Sequence, residues 1–360
     1  MTPDIAWGFV VKTIQSISVA VVRFGAVFAV SLAAAAPVCA ADLSFELAEP
    51  PASDWSSKFA APPRTFVGEF ALRFWAGQVN TAKNLYDPAG AALLSRLTYG
   101  DMSLYAGEAF SRFDFNNGLF VKGYVGGGVL WDGSLKDEDF GLPLPLQPYS
   151  ATRSKQEDGS VSYVSIDAGF KLLRGPDFSI GVFGGYHFLR QTVVAFGCTQ
   201  LADNPLICPP GLIPDFVKVI SQTNSFNAVR VGVEAMVEFD RRWKLSVDAA
   251  WLPYVRLNGA DTHALRIGTN FGDFTGPIPE DGNGWGYQVE GFLSYRMNDY
   301  WSVALGGRYW HAQSNGFTHF EGHVVGIPAL PQPVHWKTES FGVLLQSTIK
   351  LGPYPIFSGS

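Results

Sequence analysis

Apolar and polar residues alternate with a period of two in one segment after another beyond residue 64. The segment YVSIDAGFKLL carries apolar side chains on one face of an extended chain and polar or small ones on the other. The segments VRVGVEAMVEF, WKLSVDAAW and YQVEGFLSYR repeat the pattern. Successive side chains of a β-strand point to opposite sides, so a period of two predicts strands with one apolar face. The sequence therefore predicts an all-β fold.

A soluble β-sandwich and a membrane β-barrel both show this alternation. The segments have about the 9–11 residues that a tilted strand needs to cross a bilayer. Trp and Tyr are concentrated at the segment ends, as in the aromatic girdles of a membrane interface. They are Trp75, Trp131, Trp243, Trp251, Tyr300, Trp301, Tyr309 and Trp310. We therefore predict a transmembrane β-barrel of the outer-membrane type, with the polar faces lining its interior.

The links between segments predict the number of strands. Short links lie around Asn116, Gly175, Arg241 and Asn298. Long links lie near residues 79–95, 133–160, 198–224, 258–283 and 312–338. Strict alternation of short and long links is typical of barrels with short periplasmic turns and long extracellular loops. The count predicts ten antiparallel strands, with both chain ends in the periplasm.

The N-terminal region predicts export. Lys12 and Arg23 precede the apolar run FGAVFAVSLAAAA, and small residues suited to cleavage follow near Ala41. A membrane helix is the alternative, but Arg23 interrupts the apolar stretch. We predict a Gram-negative outer-membrane protein. Its expected segments are a signal peptide (1–41), a periplasmic lead-in rich in Pro, Ala and Ser (42–64), the barrel (65–353) and a C-terminal tail (354–360).

Charge and cysteine content narrow the expected partners. The chain has 26 Lys and Arg against 32 Asp and Glu, a net charge of -6, which argues against nucleic acid as a partner. Loss of Cys39 with the signal peptide would leave Cys198 and Cys208. In an oxidising compartment we expect these two to form a disulfide that stabilises the fold by roughly 2–3 kcal/mol. Two free thiols are the alternative.

Two motifs fall at the predicted extracellular rim. SLKDEDF carries Asp137 and Asp139, which alternation points the same way, and crowded like charges raise the pKa of at least one acid. RLNGADTHALR carries Asp261 and His263, where the acid can orient an imidazole that takes a proton from water. Either motif alone is better explained as a polar loop. Both at one rim indicate a site.

The two motifs resemble, in the same order, the paired-aspartate and Asp-His motifs of the omptins, outer-membrane proteases of Gram-negative bacteria. SRLTY, IDAGFKLL and FGGYHFLR are similar to further stretches of that family, and the similarity spans most of residues 65–350. The resemblance implies a ten-stranded barrel with an extracellular endopeptidase site that uses activated water and no covalent nucleophile. The catalytic residues that it implies are Asp137, Asp139, Asp261 and His263.

The resemblance also implies lipopolysaccharide binding on the outer wall through Tyr186 and Arg190, with Phe188 in place of a family acid, and it suggests lipopolysaccharide as a requirement for activity. Gly259 replaces a family acid that receives basic substrate side chains, which puts a preference for Arg or Lys in doubt. No other cofactor and no metal site is expected, since THFEGH, the candidate for a metal, is predicted to be a loop.

The expected partners are therefore a peptide or protein substrate, lipopolysaccharide and outer-membrane lipid, and the protein is expected to be a monomer. Two alternatives to the protease remain open at this stage. One is a non-enzymatic barrel of the same fold, acting as an adhesin or structural protein. The other is a small porin, although a ten-stranded barrel has a narrow interior.

Overall fold

The structure is a computed structural model that describes residues 66–141, 147–204, 206–267, 274–324 and 329–351. These residues belong to the second of two compact units, Pro63–Ser360. The predicted signal peptide, lead-in and tail lie outside the described residues. Within the described ranges, no helix has the length and apolar character needed to cross a membrane.

Eleven strand segments build the described part of the chain. They are β1 (Phe66–Tyr86), β2 (Leu93–Phe115), β3 (Leu119–Trp131), β4 (Gly133–Asp139), β5 (Ser150–Arg174), β6 (Phe178–Gln200), β7 (Ile213–Glu238), β8 (Trp243–His263), β9 (Ile278–Arg296), β10 (Trp301–Thr318) and β11 (Gln332–Leu351).

The strands close into a ring of antiparallel pairs. Strands that follow one another in the chain pair with each other, except β3 and β4. The first strand, β1, also pairs with the last, β11, with Gly68 opposite Leu351. The segments β3 and β4 are separated only by Asp132, and both pair with β2 and β5. Together they occupy one strand position of the barrel, so the ring has ten strand positions. The predicted ten-stranded antiparallel barrel is confirmed.

The connections alternate in length, as predicted. Short turns occupy residues 116–118, 175–177, 239–242 and 297–300, and longer connections occupy 87–92, 140–149, 201–212, 264–277 and 319–331. We call the end with the longer connections the mouth and the opposite end the base. The predicted long links were too long, because strands continue well into them. The link predicted near residues 79–95, for example, is strand except for 87–92.

An apolar belt surrounds the half of the barrel nearer the base. Its outward side chains are exposed, among them Val125, Ile166, Val233, Leu305 and Ile349. On β8 the belt runs from Trp243 to Trp251, both outward-facing. An exposed apolar belt bounded by aromatic residues is the surface that a bilayer requires of a barrel. We call this level the membrane band.

Charged side chains fill the interior of the membrane band and pair with one another. Arg73 lies 2.8 Å from Glu108 and 3.3 Å from Glu290, and Arg308 contacts the same two acids. A second buried cluster closer to the base consists of Arg112, Lys122, Glu234, Asp114 and Asp248. Three interior cavities have volumes of only about 30, 20 and 50 Å³. A larger cavity of about 510 Å³ lies at the base, where Glu69, Lys244 and Lys350 line it. The described interior above this basal cavity is therefore packed.

Towards the mouth the pattern of faces is reversed. Inward side chains there include the buried apolar residues Leu97, Leu135, Leu257 and Trp336. The outward face becomes polar, as at the exposed Arg256. Buried polar residues, among them Lys83, Asp261 and Glu280, lie beside these apolar side chains. The interior is therefore polar in the membrane band, as expected, and mixed above it.

Local irregularities shift the strands between the two patterns. Asp101, Asp132 and Asp158 have φ values of 57°, 60° and 55°, and the β8–β9 register shifts between Leu252 and Val255. Such bulges add a residue to a strand and turn the following side chains to the opposite face. Aspartate tolerates positive φ better than most residues. These irregularities decide which side chains reach the interior of the mouth.

Candidate active site

Both sequence motifs reach the interior of the mouth through these irregularities. On β3, Leu130 points inward, so strict alternation would turn Asp137 and Asp139 outward. The break at Asp132 reverses the faces, and both acids point inward with the buried Leu135. The interruption of the strand at Asp132 is therefore what brings this motif inside the barrel.

The same reversal occurs on β8. Leu245 and Trp251 face outward, and strict alternation from them would put Asp261 and His263 on the outer wall. The irregularity between Leu252 and Val255 changes the face instead. Asp261 is consequently buried inside the barrel and His263 is half-buried beside it.

Asp137 and Asp139 form a pair of neighbouring acids on one wall. Ser95 of β2 lies opposite Asp139 in the register, and its Oγ donates a long hydrogen bond of 3.4 Å to Asp137 Oδ1. Burial raises the pKa of Asp137 to about 7, and the charge of Asp139 adds to this effect. Burial also raises the pKa of Asp139. The pair can therefore hold a proton close to neutral pH.

Asp261 and His263 form the second element of the site. His263 Nε2 donates to Asp261 Oδ2 at 3.1 Å. Burial opposes ionisation of Asp261, but the charges of Lys83 and His263 lower its pKa overall. Burial likewise lowers the pKa of His263, yet Asp261 raises it more. The His263 side chain is 20% exposed, and with Nε2 bonded to Asp261 the other ring nitrogen, Nδ1, is the one left to accept a proton.

The two elements face each other across the mouth. β8 lies four strand positions from β4 around the barrel, and directly opposite strands of a ten-stranded barrel are five positions apart. The charge of His263 partly offsets the rise in the pKa of Asp137, and the charge of Asp137 contributes to the raised pKa of His263. The structure thus brings the four sequence-predicted residues into one electrostatic cluster. Within the described ranges, no serine or cysteine forms a hydrogen bond with His263.

Sequence reasoning missed Lys83 and Glu280. Lys83 Nζ lies 2.7 Å from Asp261 Oδ2 and also contacts Glu280. Glu280 stands opposite Gly259 on the neighbouring strand, so a carboxylate does occur beside that position. Lys83 lies far along the chain from both motifs, and Glu280 lies on the strand that follows the second motif. The available signal was weak: Lys83 shares its strand face with the buried Val79 and Thr81.

The other predicted site residues lie away from this cluster. Tyr186 and Arg190 are exposed on the outer wall of β6, and Tyr186 Oη donates to Asn227 Oδ1 at 2.6 Å. Cys198 and Cys208 are bonded to each other and close the 201–212 connection. In the part of the chain that the structure describes, no group of three or more His, Cys, Asp or Glu residues could hold a metal ion.

The fold and its apolar belt define a class, the outer-membrane β-barrels. No family model and no curated protein matches the sequence. Among solved structures, the outer membrane protease OmpT from Escherichia coli has a TM-score of 0.62 and 14% sequence identity, over 81% of this chain and 98% of that chain.

Two further similar structures have lower TM-scores. A Pseudomonas aeruginosa FadL homologue has a TM-score of 0.27 and 9% identity, over 80% of this chain and 90% of that one. The translocator domain of the autotransporter NalP from Neisseria meningitidis has a TM-score of 0.29 and 10% identity, over 79% and 91%. At 14% identity, the similarity to OmpT establishes the fold alone.

Proposed function

We propose that this protein is an endopeptidase of the outer membrane, with its mouth outside the cell and its site at that mouth. One observation carries the proposal. A histidine held by an ionised aspartate faces a pair of acids that shares a proton near neutral pH. The resemblance of both motifs to those of the omptins supports the same assignment, and the OmpT protease has a similar fold.

The chemistry follows from the protonation states. His263 Nδ1 takes a proton from a water molecule, and the resulting hydroxide attacks the carbonyl carbon of the scissile peptide bond. Asp261 stabilises the imidazolium that forms. The protonated acid of the Asp137–Asp139 pair donates a hydrogen bond to the developing oxyanion. The imidazolium then returns its proton to the leaving amine, which breaks the carbon–nitrogen bond.

Two buried polar atoms near the site are suited to hold a solvent molecule. Asp261 Oδ1 and Tyr99 Oη are both buried and have no hydrogen-bond partner among the described residues. Tyr99 is close enough to Asp261 and Asp137 for their charges to raise the pKa of its phenol, in addition to the effect of burial. Buried polar groups normally find a partner, and a solvent molecule is the ordinary one where protein groups are lacking.

Lipopolysaccharide is part of the proposal. Tyr186 and Arg190 stand on the outer wall, two strand repeats apart on the same face of β6. An arginine above an exposed aromatic residue suits a lipid headgroup that carries phosphate. We propose that lipopolysaccharide binds here and supports activity of the monomeric barrel.

A porin is the less favoured function. The paired charges around Arg73 and Glu108 and the small cavities of the membrane band oppose an open channel through the described interior. Ten strands already give a narrow barrel. No observation on the described residues specifically favours a non-enzymatic barrel of the same fold.

Incubation of refolded protein with a peptide library, with and without lipopolysaccharide, tests the proposal when the products are identified by mass spectrometry. Internal cleavage by the wild type and its loss in His263→Ala is the expected result. Heat-modifiable migration of both proteins controls for folding. Absence of any cleavage, together with conductance in planar bilayers, would instead favour the porin.

A further inference from the structure

Lys83 is a buried cation that contacts Asp261 of the candidate active site. It belongs to neither of the two sequence motifs. It lies on β1 near the mouth, between Leu97 of β2 and Trp336 of β11 in the register. Its side chain is only 2% exposed. A buried lysine is costly unless it is paired, so its partners indicate what it does.

The ammonium group and the imidazole share one oxygen atom. Lys83 Nζ lies 2.7 Å from Asp261 Oδ2, and His263 Nε2 lies 3.1 Å from the same atom. Two donors on one carboxylate oxygen restrict rotation of the carboxylate. The orientation of the His263 ring therefore depends on a group that Lys83 holds.

Lys83 is itself held in place by Glu280, which it contacts. Gln222 Nε2 donates to Glu280 Oε2 at 2.8 Å, and Thr318 Oγ1 donates to Glu280 Oε1 at 3.1 Å. The Lys83 ammonium also lies 5.5 Å from the centre of the Trp336 ring. These contacts come from four strands, and they leave the ammonium group little freedom to move.

We propose that Lys83 is a positioning residue of the active site, which acts through the Asp261 carboxylate to fix His263 and to keep the imidazole available as a base. The inference rests on the proposed hydrolytic role of His263. A misplacement of a catalytic group by about 1 Å can cost on the order of 10²-fold in rate, so we expect loss of Lys83 to have an effect of that order on kcat/KM.

The charge of Lys83 has a second consequence. The groups that act on His263 come from three strands: Asp261 on the same strand, Asp137 and Asp139 on β4, and Lys83 on β1. Glu280 on β9 acts on Lys83 and Asp261, and Arg266 acts on Asp139. Lys83 opposes protonation of the imidazole, whereas Asp261 and Asp137 favour it. Removal of Lys83 should therefore raise the pKa of His263, so that the base is lost at higher pH.

Lys83→Met removes the charge while keeping a long side chain, and Lys337→Met is the matched control. Lys337 lies on the outer wall of β11 opposite Ala82, where it pairs with Glu339. The double variant Lys83→Met/Glu280→Gln removes one acid together with the cation, which guards against misfolding from unpaired charge. Heat-modifiable migration reports folding of each protein.

Two measurements separate this inference from the proposed function. The first is the pH dependence of kcat/KM on a cleaved peptide. The second is the titration of His263 by NMR in ¹⁵N-histidine-labelled protein. The protein has six histidines, and the His263 signal is assigned by its loss in His263→Gln. This titration needs no substrate, so it reports on Lys83 even if no peptide is cleaved.

We expect the His263 titration and the acid limb of activity to move up by about one pH unit in Lys83→Met and in the double variant. Lys337→Met should leave both unchanged. A folded Lys83 variant with the wild-type His263 titration would overturn the inference, whatever the peptidase assay shows. Lack of cleavage by the wild type would overturn the proposed function alone.

Discussion

The buried charges of the membrane band differ in balance from those of the mouth. In the band, two arginines and two glutamates balance in charge: Arg73 and Arg308 each form ion pairs with both Glu108 and Glu290. At the mouth, carboxylates outnumber the cations that face them. The acids are Asp137, Asp139, Asp261 and Glu280, and the cations are Lys83 and, nearer the rim, Arg266, beside the titratable His263.

The difference separates structural charges from chemically useful ones. A matched buried network fixes the packing and resists any change in protonation. An unmatched cluster can bind protons near neutral pH, since burial and the charge of Asp139 raise the pKa of Asp137 to about 7. Perturbed acids and bases of this kind are characteristic of functional sites, although structural networks also produce them. The comparison predicts loss of activity from changes at the mouth and loss of stability from changes in the band.

The largest effect is expected for His263→Ala. Loss of a general base should lower kcat/KM for peptide cleavage by roughly 10²–10⁴-fold. The barrel should still fold, because His263 is the last residue of β8 and lies above the membrane band. Steady-state kinetics of the refolded variant, with heat-modifiability as the folding control, measure this. Full activity in the variant would leave the mouth without its proposed base.

Glu108→Ala tests the other half of the comparison. It leaves Arg73 and Arg308 without one of their two acids inside the barrel, and removal of one partner from a buried pair costs about 3–5 kcal/mol. The free energy of unfolding should fall by that amount in urea titrations, with kcat/KM of the folded fraction retained. Glu339→Ala, which removes a half-buried partner of Lys337 and His311, should cost less than about 1 kcal/mol. Equal losses in the two variants would contradict the distinction.

The position of the band can be tested from outside. Val233 faces outward between the levels of Trp243 and Trp251, since it pairs with Ala249. Val233→Arg should cost about 2–4 kcal/mol in a lipid bilayer. Ser221→Arg, on the same face of β7 but opposite Thr262 near the mouth, should cost little. A similar loss for both would show that the apolar belt is not the bilayer-spanning level.

The same two regions explain what the sequence could predict. In the band the outer face is apolar and the inner face polar, so alternation revealed strands such as Val229–Val237. Above the band the faces exchange roles, and irregularities at Asp132 and between Leu252 and Val255 change the phase. Strands continuing there were consequently interpreted as long loops. The two motifs were found because their acids and histidine are adjacent in sequence.

Lys83 and Glu280 were out of reach of such reasoning. The contacts of Lys83 with Asp261 and Glu280 arise from closure of the ring, which brings β1 to the same interior as β8 and β9. No short motif contains either residue. Only the pairing order of the strands places a buried ammonium group and a carboxylate beneath the aspartate of the second motif.

The smallest effect, and the finest test of the mouth, is the pH dependence of Asp261→Asn. The neutral imidazole is the active form, so activity falls as pH drops through the pKa of His263. Asp261 raises that pKa above its ordinary value near 6.5, and an asparagine would not. The acid limb should therefore move to lower pH, while turnover at its maximum also falls. Lys83→Met is expected to move the limb the opposite way. A shift of both variants in one direction would show that the carboxylate and the ammonium group do not act on His263 through their charges.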